Sequence, residues 1–166
     1  MGNVNRLRAG LFAPEFVLKD SEGRKLGPSH FRGKKNLLLL FCQTLEDPVC
    51  LSRLEGLNGS YDRIRLSHTE ILALSRDERW VARQIKEEER FRFPILKAEG
   101  DMHHPASAPS VGELYGVEVT ESGRRLLCSA VFIVDKGGTI RFRKVLLQPD
   151  DELRSEELFC ELDKLG

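Results

Sequence analysis

Asn36-Leu37-Leu38-Leu39-Leu40-Phe41-Cys42-Gln43-Thr44-Leu45-Glu46-Asp47-Pro48-Val49-Cys50 is the stretch on which the fold turns. Its first six residues form the most apolar run in the chain and follow Arg32-Gly33-Lys34-Lys35. A short continuous run of this kind reads as a strand buried on both faces, with a buried helical turn as the alternative that periodicity leaves open. Asp47-Pro48 then reads as a helix start, because Asp suits the N-cap and Pro suits N1, where no N–H is needed. Val49 becomes N2 and Cys50 N3. Cys50 is thus placed in the first turn of a helix at the carboxyl end of a central strand, where backbone N–H groups and the macrodipole favour a thiolate. The competing reading is that a first-turn cysteine simply packs into the core. Asp47 opposes the thiolate, since its carboxylate competes for the N–H groups of Val49 or Cys50 and adds a like charge nearby.

Upstream, Ala13 to Asp20 reads as a short strand, Ser21-Glu22-Gly23 as a turn and Arg24-Lys25-Leu26 as the return of a small hairpin. Pro28 to Phe31 makes a single helical turn. Downstream, Leu51, Leu54, Leu57, Tyr61 and Ile64 carry the helix on spacings of three and four, with Asn58-Gly59-Ser60 as a candidate kink. Glu70 to Ser75 is the next buried strand, and a helix follows over Asp77 to Arg90 with Trp80, Val81 and Ile85 inward. Phe93 to Leu96 is an edge element because of its Pro. Gly100 to Ser110 reads as a polar loop, and Val111 to Tyr115 as a short helix closed by Gly116. Leu126 to Asp135 reads as one strand with Cys128 packed mid-strand. Lys136-Gly137-Gly138 is a turn and Thr139 to Val145 a half-exposed partner strand. Asp150 to Leu165 is a closing helix with Leu153, Leu158, Leu162 and Leu165 inward. The order describes an α/β fold, a three-layer sandwich with a central mixed sheet and an N-terminal β-hairpin, as one domain over residues 1–166.

The 166 residues hold 26 Lys plus Arg against 26 Asp plus Glu, so no global charge points to nucleic acid or an anionic membrane. No run approaches the ~18 apolar residues of a membrane span. Met1 to Arg8 lacks both an apolar secretory region and the myristoylation pattern, which sets a cytoplasmic location as the expectation. The four cysteines, Cys42, Cys50, Cys128 and Cys160, form no C-x-x-C and are expected to be reduced. His103-His104 lacks partners at ligand spacing, so no metal is expected.

With the elements in place, the chain resembles the peroxiredoxin (alkyl hydroperoxide reductase and thiol-specific antioxidant) family of the thioredoxin-like fold over roughly residues 10 to 146. The carriers are Gly10-x-x-Ala13-Pro14-Glu15-Phe16-x-Leu18-x-Asp20, Phe31-Arg32-Gly33-Lys34, Val49-Cys50, Ser75-Arg76-Asp77 with Trp80, Phe93-Pro94-Ile95-Leu96, Leu114-Tyr115-Gly116-Val117 and Phe132-Ile133-Val134-Asp135-x-x-Gly138-x-Ile140. Their order along a β-α-β-α-β frame carries the likeness. The family's catalytic pattern is Pro-x-x-x-Thr-x-x-Cys with a distant Arg before the Phe-Ile-Val-Asp strand. Cys50 matches its cysteine, whereas Gln43, Asp47 and Ser129 stand at the Pro, Thr and Arg positions. Arg125, on the same strand face as Ser129, lies about 13 Å away along it, beyond side-chain reach. Arg53, at i+3 from Cys50, is the better-placed cation, able to lean back over the sulfur; an exposed surface Arg is the alternative.

The resemblance implies an oxidoreductase of the antioxidant, thiol peroxidase type that needs no cofactor. A Cys50 thiolate attacks a hydroperoxide, giving a sulfenic acid, which a second thiol converts to a disulfide. Asp47 and Arg53 flank the nucleophile. Cys42 and Cys160 are the candidates for the resolving cysteine, and a one-cysteine route with an external thiol is equally open. The reductant is then a thioredoxin-type protein or a small thiol, with no nucleic-acid or membrane partner and a homodimer as the candidate assembly. The alternatives are thiol–disulfide exchange through Cys42 and Cys50, or a non-catalytic binding module of the same fold whose site has decayed.

Overall fold

The computed structural model describes residues 7–98 and 110–165. The chain opens with a hairpin of β1 (Leu18–Lys19) and β2 (Lys25–Leu26), followed by a 3₁₀ turn at Pro28–His30. Then come β3 (Asn36–Phe41), α1 (Pro48–Gly59), α2 (Tyr61–Leu66), β4 (Thr69–Ser75), α3 (Arg79–Glu89) and β5 (Ile95–Lys97). The second half runs α4 (Val111–Leu114), β6 (Glu118–Glu121), β7 (Arg124–Leu127), β8 (Ala130–Val134), β9 (Ile140–Val145) and α5 (Ser155–Asp163). One five-stranded sheet has the order β5-β4-β3-β8-β9. β3 pairs parallel with β4 and antiparallel with β8, so the sheet is mixed and the apolar run lies at its centre. All six β3 residues are buried, as a strand covered on both faces requires.

Alternation along β3 separates two apolar layers. Leu38 and Leu40 join residues of α1, α2, α3 and α5 on one face of the sheet. Leu37, Leu39 and Phe41 join Phe16, Val111, Tyr115 and Phe132 on the other. The same period of two carries Cys42, the residue after β3, onto the α1 face, where it is fully buried. Asn58-Gly59-Ser60 marks the break between α1 and α2, as its turn-forming composition predicts. The edge element begins one residue after Pro94, as β5, and lies at the sheet edge as expected.

Three expectations need correction. Trp80 does not face inward; it is 69% exposed in the first turn of α3, and Ala82 is the buried residue there. The apolar segment from Leu126 is not one strand. β7 ends at Leu127, and Cys128-Ser129 link it to β8, so Cys128 is not a mid-strand residue. β7 instead pairs with β6 across a turn whose Ser122 and Gly123 both adopt positive φ, 52° and 76°. Cys160, on α5, is exposed. His103, His104 and nearly all of the expected 100–110 loop lie outside the described residues. Among the described residues, no helix is long and apolar enough to cross a membrane, and no three His, Cys, Asp or Glu side chains are grouped to hold a metal.

Candidate active site

The helix start is built as the local chemistry dictates. Asp47 is the N-cap in an extended conformation, and its Oδ1 accepts from the Val49 N–H at 2.9 Å. Pro48 occupies N1, which places Cys50 at N3, only 2% exposed. The preceding loop is pinned at several points. The Asp77 carboxylate accepts from Thr44 Oγ1 and from the Leu45 N–H, each at 2.7 Å. Thr44 Oγ1 in turn accepts from the Glu46 N–H at 3.1 Å. Gln43 Oε1 accepts from the Leu127 N–H at 2.6 Å, tying the loop to the end of β7. Charge-assisted and buried bonds of this kind hold a loop more firmly than exposed ones.

Ser129, one residue before β8, lies directly against the nucleophile, with its Oγ 3.6 Å from Cys50 Sγ. The β3–β8 register explains why. Leu40 opposes Val131 and Phe41 opposes Ala130, so the antiparallel pairing extends to set Cys42 across from Ser129. Both residues sit beneath the first turn of α1. Cys42 and Cys50 share one buried cluster, near enough for each thiol to shift the other's ionisation.

This arrangement divides the two thiols. The Cys42 hydrogen bond is the largest influence on Cys50 and lowers its pKa; burial opposes it, Ser129 lowers it further, the Asp47 carboxylate raises it and the Arg53 charge lowers it. The net result is a thiol drawn down to about 6. Cys42 moves the other way, well above the ordinary thiol value, because it supplies that hydrogen bond and is deeply buried. Burial also raises Cys128.

Arg53 does not reach the sulfur. Its Nη2 donates to the Gln148 and Asp151 carbonyls at 3.2 and 3.0 Å, so it acts on Cys50 through charge alone while holding the 148–151 segment against α1. Arg125 is engaged elsewhere, in ion pairs with Glu113 and Glu118. Of the expected site residues, the structure therefore gathers Cys50, Asp47 and Cys42, places Arg53 nearby, and leaves Cys160 apart on the exposed side of α5. Gln43, Asp77 and the hydroxyl of Ser129 are positioning groups whose contacts the sequence does not reveal. Strand alternation from Leu40 to Cys42 is the signal that could have placed Cys42 beneath Cys50.

The family model described as AhpC/TSA matches residues 9–143, most of the chain and all of this site. The chain belongs to the AhpC/TSA family. Alkyl hydroperoxide reductase E of Mycobacterium tuberculosis is 28% identical over 155 residues, covering 93% of this chain and 95% of that protein. Chloroplastic peroxiredoxin Q of Oryza sativa subsp. japonica is 25% identical over 138 residues, 82% of this chain. The chain spans only 58% of the length of that plant relative. Among solved structures, the peroxidoxin BcpB of Mycobacterium tuberculosis superposes with a TM-score of 0.80 at 16% identity, covering 97% of this chain and 99% of that one, which establishes the thioredoxin-like peroxiredoxin fold. Gln43, Asp47 and Ser129, which stand where the resemblance places Pro, Thr and Arg, serve here as a loop tie, a helix cap and a hydroxyl on the sulfur.

Proposed function

We propose that this chain is a thiol-dependent peroxidase that reduces hydroperoxides through a Cys50 sulfenic acid. One observation carries the reading: the only family-matched catalytic residue is a first-turn helix cysteine whose pKa, about 6, leaves about nine-tenths of it as thiolate at pH 7. The thiolate attacks the distal peroxide oxygen, the O–O bond breaks, and the alkoxide or hydroxide leaves with a proton as alcohol or water. Asp47 and Arg53 act as positioning groups, the first by capping α1 and the second by its charge. A thioredoxin-type protein or a small thiol returns the site to the reduced state. The reading carries with it one functional unit over residues 1–166, a cytoplasmic setting in which thiols stay reduced, and a homodimer. The second reading, thiol–disulfide exchange without peroxide chemistry, is favoured by the contact between Cys42 and Cys50.

Stopped-flow oxidation of the reduced protein by hydrogen peroxide, with the oxidised residue located by mass spectrometry, separates the two. The expected rate rises with pH through about 6 and then levels off, because the deprotonated fraction of Cys50 saturates above its pKa. Oxidation of Cys50 no faster than that of Cys160 would leave only disulfide exchange.

The Asp47 position offers a finer test. An ionised Asp can only accept, whereas a Thr hydroxyl can donate to a peroxide oxygen and still cap the helix. Because Cys50 is already mostly ionised at pH 7, removing the Asp47 charge adds almost no thiolate there. Asp47→Thr is therefore expected to speed oxidation about tenfold at pH 7 through the new donor, one hydrogen bond being worth ~1–1.5 kcal/mol. At pH 5 the gain should be larger, since lowering the Cys50 pKa then also increases the thiolate. A gain confined to pH 5 would assign Asp47 an electrostatic influence only.

A further inference from the structure

We infer that Cys42 is the second thiol of the reaction, closing an intramolecular Cys42–Cys50 disulfide so that the chain resolves its own sulfenic acid. The inference rests on Cys50 being the thiol that peroxide oxidises.

The placement comes from the sheet. Leu38, Leu40 and Cys42 form one row on the α1 face of β3 and its extension, and Cys50 belongs to the same buried cluster. The Cys42 backbone N–H donates to the Leu74 carbonyl at 2.8 Å, which holds the residue at the end of the central strand with its side chain fixed on that face. The β3–β8 register sets Cys42 across from Ser129, whose Oγ lies 3.6 Å from Cys50 Sγ, so both thiols border the same buried pocket. The remaining thiols lie elsewhere. Cys128 packs against the cluster on the opposite face of the sheet. Cys160 sits on α5 between the inward residues Leu158 and Leu162 and points to solvent.

Burial favours this route over an external thiol. Cys42 has no exposed surface and Cys50 only 2%, so a solution thiol must enter a covered site while Cys42 is held in place. In the first step, Cys50 loses two electrons to the peroxide and gains oxygen as a sulfenic acid. In the second, the Cys42 sulfur attacks the Cys50 sulfur, the S–O bond breaks, and the hydroxide departs as water with the proton that Cys42 carried. One hydroperoxide and two thiols thus give one disulfide, one alcohol and one water. Closure requires an S–S bond of about 2.05 Å with Cα atoms within about 7 Å. The adjustment falls on residues 43–47 and the first turn of α1, because Cys42 is fixed to the sheet.

The test is thiol accounting on the reduced chain after one equivalent of hydrogen peroxide. Two thiols should be lost per peroxide, and peptide mapping without reduction should recover Cys42 joined to Cys50. Cys160→Ser should give the same bridge. Cys42→Ser, and Cys42→Ala as a second variant in case the buried hydroxyl disturbs folding, should lose one thiol per peroxide and retain a Cys50 sulfenic acid captured by dimedone. A bridge from Cys50 to Cys128 or Cys160, or dimedone capture in the parent chain equal to that in both Cys42 variants, would overturn the inference while leaving the peroxidase reading intact. Failure of Cys50 to oxidise would instead remove the peroxidase reading and this inference with it; a Cys42–Cys50 bridge formed by diamide in that case would support disulfide exchange.

Discussion

Replacing Phe132 by alanine is expected to lower the unfolding free energy by about 3–5 kcal/mol. Phe132 is fully buried on β8, next to the central strand, and opposes Leu39 in the register. Its ring meets Phe41 edge-on at 5.7 Å between centroids and Tyr115 at 5.2 Å. Tyr115 is itself held, its hydroxyl donating to the Pro14 carbonyl at 2.7 Å, so it is not free to collapse into the vacated space. A void that its neighbours cannot fill forfeits dispersion contacts as well as the transfer free energy of the ring. Denaturant unfolding should show a lower midpoint with an unchanged slope. Because Phe132 faces away from α1, the Cys50 titration near pH 6 should stay where it is in the variant. A loss below about 1 kcal/mol would mean that this layer repacks freely, contrary to the interlocked rings.

The central strand and the helix cap were legible because each has a local cause. Six apolar residues without alternation have nowhere to go but the middle of a sheet, and Asp-Pro specifies N-cap and N1 through backbone chemistry alone. The outward position of Trp80 is not legible from hydrophobicity alone, which carries no direction around a helix. Adjacent helix positions differ by about 100°, so Trp80, Val81 and Ile85 cannot all share the face that buries Ala82. The break at Cys128-Ser129 was hidden by apolar continuity, although Ser122-Gly123 is a turn signal of the two-residue hairpin kind. At the site, the sequence showed what Gln43 and Ser129 replace but not what they touch. A side-chain amide bound to the Leu127 N–H, or a hydroxyl 3.6 Å from a sulfur 79 residues away in the chain, depends on long-range register that no local pattern encodes. The Asp77 clasp on Thr44 and Leu45 is illegible for the same reason.

Cys50→Ser is expected to abolish peroxide-driven loss of thiols at this site without loss of the fold. Serine nearly matches cysteine in shape, suits the first turn of a helix, and can keep the hydrogen bond to Ser129, so the Asp47 cap and the packing of α1 through Leu54 and Leu57 should survive. What disappears is the ionisable, oxidisable sulfur. The variant also asks whether Cys42 could act alone. Removing Cys50 removes the largest cause of the raised Cys42 pKa, but burial and the Asp77 charge still raise it, and only Arg53 opposes them. Cys42 should therefore remain a protonated, covered thiol and an unreactive one. Stopped-flow mixing with hydrogen peroxide at pH 7 should show no fast phase, and mapping should find Cys42 reduced. If a fast phase persists with Cys42 as the oxidised residue, the roles of the pair are exchanged and the nucleophile belongs to the strand, not to the helix. If it persists on Cys160, the exposed helix α5 carries the chemistry and the buried pair is structural.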